Sequence, residues 1–168
     1  METWATHLPI LAAFAARTQG PVLEMGTGYY STPVLHGICH LRRLVSIDNN
    51  GPFMQQFLDL RSPFHEFHHV PDWNAWDGKL IETPWDVAFV DHAPGERRAI
   101  DIEKLRRWAR FIVVHDTHPD AVKELGFEPL FSSFRYRLDY TRLVPWTTVL
   151  SDKADPCRVL VDYAPQSS

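Results

Sequence analysis

The chain has 168 residues, of which 45% are hydrophobic and 23% are charged. These values predict one globular domain, residues 1–168, with a single core. A net charge of −4 gives no electrostatic reason to expect nucleic acid or an anionic membrane as a partner. Two cysteines are too few for a disulfide framework, and the first apolar stretch lacks the basic segment of a secretory signal. We therefore expect a soluble, cytoplasmic protein.

Apolar segments alternate with helical patterns along most of the chain, which is typical of an α/β protein. The predicted helices are Glu2–Thr18, a segment that begins at Ser31, Phe53–Leu60, Gly95–Ala109 and Ala121–Leu125. The predicted strands among them are Pro21–Met25, Arg43–Ile47, Phe64–Val70, Trp85–Asp91 and Arg110–His115. Because the last of these strands are nearly all apolar, they indicate a parallel sheet that is covered on both faces.

The C-terminal part differs, because no helical pattern separates its apolar segments. These β segments are Phe131–Leu138, Thr147–Leu150 and Arg158–Tyr163. Antiparallel strands can be joined without a crossover helix. The predicted fold is therefore a single doubly wound, Rossmann-like α/β domain, whose mostly parallel seven-stranded sheet ends in an antiparallel C-terminal hairpin.

A glycine-rich turn follows the first predicted strand. Gly26 and Gly28 permit unusual backbone angles and let a ligand approach the main chain closely. The helix that begins at Ser31 offers unpaired N–H groups, and Pro33 suits its first turn. A strand, a glycine loop and a helix start form a cofactor site in α/β proteins. Since Ser31 stands where a dinucleotide fingerprint requires its third glycine, a nicotinamide cofactor is disfavoured.

Acidic residues mark the ends of the first two strands. Glu24 would repel a pyrophosphate but can neighbour a cationic ligand, and Asp48 is placed to accept from ribose hydroxyls. Glu24-x-Gly26-x-Gly28, followed by Val45-Ser46-Ile47-Asp48, resembles the first two motifs of class I S-adenosylmethionine-dependent methyltransferases. The resemblance implies that the glycine loop passes the methionine part of the cofactor and that Asp48 holds the ribose. Tyr30 departs from the pattern, because many members carry a third glycine there.

The same family places a polar and an apolar residue around the adenine after strand three. Asp72 would accept from the adenine amine and Trp73 would flank the ring, although Trp76 and Asp77 could fill these roles equally well. The alternative is a surface loop with a core tryptophan. The cofactor-binding residues that we expect are Glu24, Gly26, Thr27, Gly28, Asp48, Asn49, Asp72, Trp73 and Asp91.

Ionisable residues end the fourth and fifth strands, as Asp91-His92 and His115-Asp116-Thr117-His118. Neighbouring strand ends converge on one pocket. The arrangement resembles metal-dependent small-molecule O-methyltransferases, but Thr117 follows Asp116 where that family has a second acid or an asparagine. The predicted catalytic residues are Asp91, His92, Asp116 and His118.

Two chemistries are open at these strand ends. His118 or His92 as the general base is the first expectation. Binding of Mg²⁺ by Asp91 and Asp116 is the second. The structural alternative is that these histidines merely bond to nearby acids.

Two further histidine groups have ligand-like spacing. His36 and His40 are four residues apart on a predicted helix, but no third ligand lies near them in sequence. His65 and His69 share one face of the third strand, whereas His68 lies on the other. We interpret both groups as structural or surface histidines.

These patterns predict methyl transfer from S-adenosylmethionine to a small-molecule acceptor at a hydroxyl. One alternative is a module of the same fold that binds S-adenosylmethionine or S-adenosylhomocysteine without methyl transfer, because little sequence is available for an acceptor-binding cap. Methylation of RNA or protein is disfavoured by the net charge and by the absence of an Asn-Pro-Pro-Tyr-like tetrad. The identity of the acceptor, the need for Mg²⁺ and the oligomeric state, including a homodimer, stay open.

Overall fold

The structure is a computed structural model that describes residues 5–161. Its strands are β1 Val22–Met25, β2 Leu44–Asp48, β3 His65–His69, β4 Trp85–Val90, β5 Ala109–His115, β6 Tyr136–Tyr140 and β7 Thr147–Ser151. They form one seven-stranded sheet in the order β3-β2-β1-β4-β5-β7-β6. Strands β1 to β5 pair in parallel, whereas β7 pairs antiparallel with both β5 and β6. The predicted doubly wound sheet with an antiparallel C-terminal end is confirmed.

Helices cover both faces of this sheet. They are α1 Leu8–Arg17, α2 Ser31–Ile38, α3 Gly51–Met54, α4 Arg98–Trp108, α5 Pro119–Glu124, α6 Glu128–Ser132 and α7 Pro156–Val161. Short 3₁₀ turns occupy Gln55–Leu60, Lys79–Ile81 and Gly95–Arg97. Within residues 5–161, none of the helices combines the length and the apolar character that crossing a bilayer requires.

Two hydrophobic cores lie on opposite faces of the sheet, because successive side chains of a strand point to opposite sides. In β1, Val22 packs in the core shared with α1 and α2, whereas Leu23 packs in the core shared with α4. Val87 and Ala88 of β4 divide in the same way. Burial on both faces explains why these strands are nearly all apolar in sequence.

The N-terminal helix begins later than its pattern predicts. Residues 5–7 form a turn and α1 starts at Leu8, while residues 2–4 of the predicted helix lie outside the described residues. Pro9 explains the difference, since a proline ring clashes with the carbonyl four residues earlier and therefore ends a helix on its N-terminal side. Thr6 and His7 are buried as a result, and both contact His115 at the end of β5.

Two predicted C-terminal β segments are wrong in part. Phe131 belongs to α6, and β6 begins only at Tyr136. Residues 158–161 of the predicted strand Arg158–Tyr163 form part of α7, and the remaining two residues lie outside the described range. Pro156 suits the first position of α7, and the Asp155 side chain accepts a hydrogen bond from the N–H of Cys157. These start signals outweigh the β-like composition.

The strand order reverses between β1 and β4. Strands β2 and β3 lie on one side of β1, while β5, β7 and β6 lie beyond β4. The carboxyl ends of β1 and β4 therefore border the crevice where doubly wound sheets bind ligands.

Candidate functional site

A cavity of about 810 Å³ opens at this crevice. One wall is the glycine loop, residues 27–31, with Phe53 beside it. The opposite wall contains Asp91 and Ala93 after β4, His115 and Asp116 at the end of β5, together with His7, Arg98 and Pro145. The cavity therefore joins the loop predicted to bind cofactor to the ionisable residues predicted to act on an acceptor.

Gly26 lies where the end of β1 contacts the end of β4, between the two walls of the cavity. Its φ of +97° lies in the left-handed region. A Cβ there would lie 2.7 Å from the backbone of Asp91 and of His92. Only glycine allows the end of β1 to approach the end of β4 this closely.

Asp48 fixes the first residue of the glycine loop. Its Oδ2 accepts hydrogen bonds from the backbone N–H of Thr27 at 2.7 Å and from the Thr27 hydroxyl at 2.6 Å. Its Oδ1 accepts from the N–H of Asn50 at 2.7 Å. A carboxylate accepts about four hydrogen bonds, so about one position is left for a ligand. Neither Asp48, which is 6% exposed, nor the half-buried Asn49 lines the cavity, and Asp48 borders it only through Thr27.

Glu24 lies beneath the loop and not in the cavity wall, with 0% of its surface exposed. Its carboxylate accepts from the Thr32 hydroxyl at 3.1 Å and from the Ser46 hydroxyl at 2.5 Å. Burial raises the pKa of Glu24 to about 7, and hydrogen bonds from Ser31, Ser46 and Thr32 only partly oppose the rise. The structure thus gives Glu24 a supporting position under the loop.

The residues expected around the adenine lie apart from this cavity. Trp73 is buried in the core, donates its indole N–H to the carbonyl of Ala93 at 2.8 Å and packs on His92. Asp72 is exposed and lines a separate cavity of about 430 Å³, together with Trp76 and Asp77. The structure therefore places these four residues outside the main crevice.

Arg98 links the ends of β4 and β5. Its guanidinium donates to the carbonyls of His92, Asp91 and His115, at 2.7, 3.1 and 3.3 Å. It also lies 3.0 Å from Asp91 Oδ1 and 3.5 Å from Asp116 Oδ2. Its sequence position, at the start of a helix with many charges, gives no signal of this role.

The predicted Mg²⁺ pair, Asp91 and Asp116, is not supported, because the Arg98 guanidinium lies between the two carboxylates and engages Oδ1 of Asp91 and Oδ2 of Asp116. Burial opposes the charged form of Asp91, but hydrogen bonding to His115 and the charges of His115 and Arg98 hold its pKa below its usual range. Asp91 is therefore an ionised group at the cavity wall.

Neither of the two histidines predicted as general base faces the cavity. The side chain of His92 is fully buried between the sheet and α4, with Nε2 3.2 Å from Asp101 Oδ2. His118 precedes α5 at its N-terminus and is not part of the cavity wall. The structure brings Asp91 and Asp116 together and separates both histidines from them.

His115 and His7 occupy the cavity wall instead. His115 Nδ1 lies 3.2 Å from Asp91 Oδ2, and its Nε2 lies 2.9 Å from the Thr6 hydroxyl. The ring of His7 packs edge-on against that of His115, with centroids 4.7 Å apart. Burial and the nearby His115 lower the pKa of His7 to about 4. The predicted helix Glu2–Thr18 included His7, and no signal in the sequence indicated this position beside His115.

Two further histidines, His36 and His65, form a separate polar chain. Ser46, bonded to Glu24, lies 2.9 Å from His65 Nε2, and His65 Nδ1 lies 3.1 Å from His36 Nδ1. Burial and the nearby His36 lower the pKa of His65 to about 4. This chain connects β1, β2, β3 and α2 behind the glycine loop.

No protein-family model matches the sequence, and no curated protein matches it significantly. The chain is similar in structure to a proposed O-methyltransferase from Klebsiella pneumoniae, with a TM-score of 0.62 and 15% identity over 85% of this chain and 80% of that one. It is also similar to spermidine synthase from Thermotoga maritima, with a TM-score of 0.61 and 12% identity over 93% of this chain and 62% of that one.

A third similar structure is precorrin-6y C5,15-methyltransferase from Geobacter metallireducens GS-15. Its TM-score is 0.55 and its identity 12%, over 84% of this chain and 87% of that one. Because the sequence identities are only 12–15%, these structural matches establish a shared fold and nothing further. The chain has the fold of the class I S-adenosylmethionine-dependent methyltransferases.

Proposed function

We propose that the protein transfers a methyl group from S-adenosylmethionine to a hydroxyl of a small-molecule acceptor. The observation that carries the proposal is that the glycine loop and ionised Asp91 form opposite walls of one cavity. Its volume of about 810 Å³ is in the range of small-molecule sites. A net charge of −4 further supports a small molecule over nucleic acid as the acceptor.

The residues present fit the cofactor. Asp48 keeps an acceptor position for a ribose hydroxyl and holds Thr27 at the cavity edge. Tyr29 and Phe53, with ring centroids 5.2 Å apart, offer aromatic surface for an adenine or a sulfonium cation. When bound, S-adenosylmethionine supplies an electrophilic methyl group on sulfur.

Asp91 and His115 supply the acid–base chemistry on the acceptor side. An acceptor hydroxyl that donates to the Asp91 carboxylate would pass its proton to that carboxylate as its oxygen bonds the methyl carbon and the sulfur–carbon bond breaks, while His115, 3.2 Å from the same carboxylate, orients Asp91. Arg98 keeps this carboxylate ionised and orients it through Oδ1. Holding acceptor and cofactor in one cavity supplies much of the rate through orientation.

Two measurements test the proposal. Calorimetric titration with S-adenosylhomocysteine is expected to show one site, whereas NAD⁺ gives no binding heat. Labelled S-adenosylmethionine is then incubated with a panel of phenols, catechols and aliphatic alcohols, and products are identified by mass spectrometry. We expect transfer to at least one hydroxyl class, and loss of transfer in Asp91→Asn.

The outcomes separate the alternatives. Binding of S-adenosylhomocysteine without transfer to any member of the panel would favour a cofactor-binding module. Absence of binding would refute the proposal as a whole. Methylation of amines alone would keep the cofactor assignment and refute the hydroxyl acceptor.

A further inference from the structure

Three ionisable side chains from distant parts of the chain meet at one point of the cavity wall. His7 precedes α1, Asp91 follows β4 and His115 ends β5. One ligand atom from each lies within 4.8 Å of the others. The Asp91 Oδ2 to His115 Nδ1 distance is 3.2 Å, close to the ~3.4 Å that separates two ligands of a tetrahedral zinc ion bound at about 2.1 Å.

His7 has nitrogen atoms that need a partner. His7 is only 3% exposed, and neither of its ring nitrogens forms a hydrogen bond within residues 5–161. Leaving a buried polar atom unpaired costs about 1–3 kcal/mol. The ring nevertheless borders the cavity beside His115 and Asp91, so a bound cation in the cluster would satisfy it.

Neighbouring residues already orient the other two ligands. The Thr6 hydroxyl, 2.9 Å from His115 Nε2, engages one ring nitrogen and directs Nδ1 toward Asp91. Arg98 engages Asp91 Oδ1 and directs Oδ2 toward His115. Metal-binding histidines and carboxylates are typically held by such outer partners.

We propose that His7, Asp91 and His115 bind one divalent transition-metal ion, with zinc as the representative. Two imidazoles and one carboxylate are the ligand set of open zinc sites, in which a fourth position takes water or substrate. Nitrogen ligands disfavour Mg²⁺, which prefers oxygen. This site differs from the Asp91 and Asp116 pair that the sequence suggested.

Because all three ligand residues line the cavity, an open fourth position of the ion would face it. If the proposed methyl transfer holds, this position would receive the oxygen of the acceptor, on the wall opposite the glycine loop. A metal at this point would lower the pKa of a bound hydroxyl, whose proton would then leave to solvent because Asp91 serves as a ligand. The acceptors it selects would carry a hydroxyl or a neighbouring pair of oxygens.

The test uses the full chain after treatment with a chelator. Titration with Zn²⁺ by calorimetry is expected to show one site, and Co²⁺ is expected to produce visible absorption of a low-coordinate nitrogen and oxygen site. His7→Ala and Asp91→Asn are each expected to weaken Zn²⁺ binding by at least about 100-fold. His7→Gln keeps the buried volume and serves if His7→Ala does not fold, as judged by circular dichroism.

His118→Ala is the matched control, because His118 lies near β5 but outside the cluster, and it is expected to bind Zn²⁺ as the parent does. Equal weakening in His118→Ala, or unchanged affinity in folded His7→Gln, would overturn the metal site. S-adenosylhomocysteine titrations on the same samples keep the two proposals apart. Cofactor binding without Zn²⁺ binding refutes only the metal site, and Zn²⁺ binding without cofactor binding refutes only the proposed function.

Discussion

The carboxylate of Asp48 accepts both the backbone N–H and the side-chain hydroxyl of Thr27 through one oxygen, at 2.7 and 2.6 Å. This pair ties the end of β2 to the first residue of the glycine loop after β1. The loop shape therefore depends on an acid more than twenty residues away in sequence.

Asp48→Asn is expected to loosen the glycine loop, because an amide offers one acceptor oxygen where the carboxylate accepts three hydrogen bonds. We expect a loss of about 1–3 kcal/mol in unfolding free energy and at least about tenfold weaker binding of S-adenosylhomocysteine. Urea denaturation and calorimetry measure the two effects. Asp59→Asn, at an exposed position, is expected to change neither, and an equal effect there would contradict this role.

Gly26→Ala is expected to destabilise the fold by at least about 2 kcal/mol, because the new Cβ would lie 2.7 Å from the backbone of Asp91 in a left-handed conformation. Gly37→Ala is the contrasting variant. Gly37 lies in α2, where a Cβ meets no atom within 4 Å, so a gain of about 0.5–1 kcal/mol is expected. Urea denaturation of both proteins measures the difference, and similar values for the two variants would contradict the close approach of β1 and β4.

Glu24 makes stability depend on pH. The pKa of Glu24 is about 7 in the folded protein, compared with 4.5 for the same side chain in water, so the folded state binds the proton more tightly. Its contribution to the unfolding free energy is therefore full below pH 4.5 and is lost as the pH rises to about 7. The total change is on the order of 3 kcal/mol.

His7 and His65 have pKa values lowered to about 4, so their contribution to the unfolding free energy rises with pH, opposite to that of Glu24. Comparing the parent with Glu24→Gln isolates the contribution of Glu24, because both proteins keep the two histidines. Urea denaturation at pH 5 and pH 8 should show a smaller decline, or none, in Glu24→Gln. Glu82→Gln, at an exposed position, should decline as the parent does. A decline of the same size in Glu24→Gln would argue against a raised pKa.

Asp101 is expected to serve the fold and not the chemistry. It is fully buried in α4, accepts from the Arg97 guanidinium at 2.9 and 3.1 Å and lies 3.2 Å from His92 Nε2. Asp101→Ala should lower the unfolding free energy by about 3 kcal/mol, because it leaves a buried guanidinium without its counterion. Glu103→Gln on an exposed turn of the same helix should change it by no more than about 0.5 kcal/mol.

The measurement that separates the two roles is calorimetry at a temperature where Asp101→Ala is folded. Its affinity for S-adenosylhomocysteine should match that of the parent. A stable Asp101→Ala protein with lost cofactor binding would show that His92 and its partners belong to the site.

The sheet was predictable because its signals are local and repeated. Buried parallel strands such as β4 and β5 read as continuous apolar segments, and the glycine turn after β1 has few other interpretations. The C-terminal error has a local cause as well. Residues 158–161 have a β-like composition, but the start signals at Asp155 and Pro156 place them in a helix.

The side chains of the candidate site were harder to predict, because a sequence identifies strand ends but not the direction of each side chain there. His92 and Asp91 are neighbours, yet one points into the core beneath α4 and the other into the cavity. Arg98 and His7 gave no sequence signal of their position beside Asp91, since their contacts are set by tertiary packing. The predicted strand ends therefore identified the region of the candidate site, whereas the three-dimensional structure was needed to identify the side chains that line it.

The contact between Thr6 and His115 joins residues 109 positions apart in sequence. Closing a loop of this length costs conformational entropy, which the packing of β1, β4 and β5 within the loop helps to offset. The cluster at the cavity wall therefore requires the N-terminal segment and the ends of β4 and β5 to be assembled together. Occupancy of that cluster would report complete assembly of the central strands, which local probes of helix content do not detect.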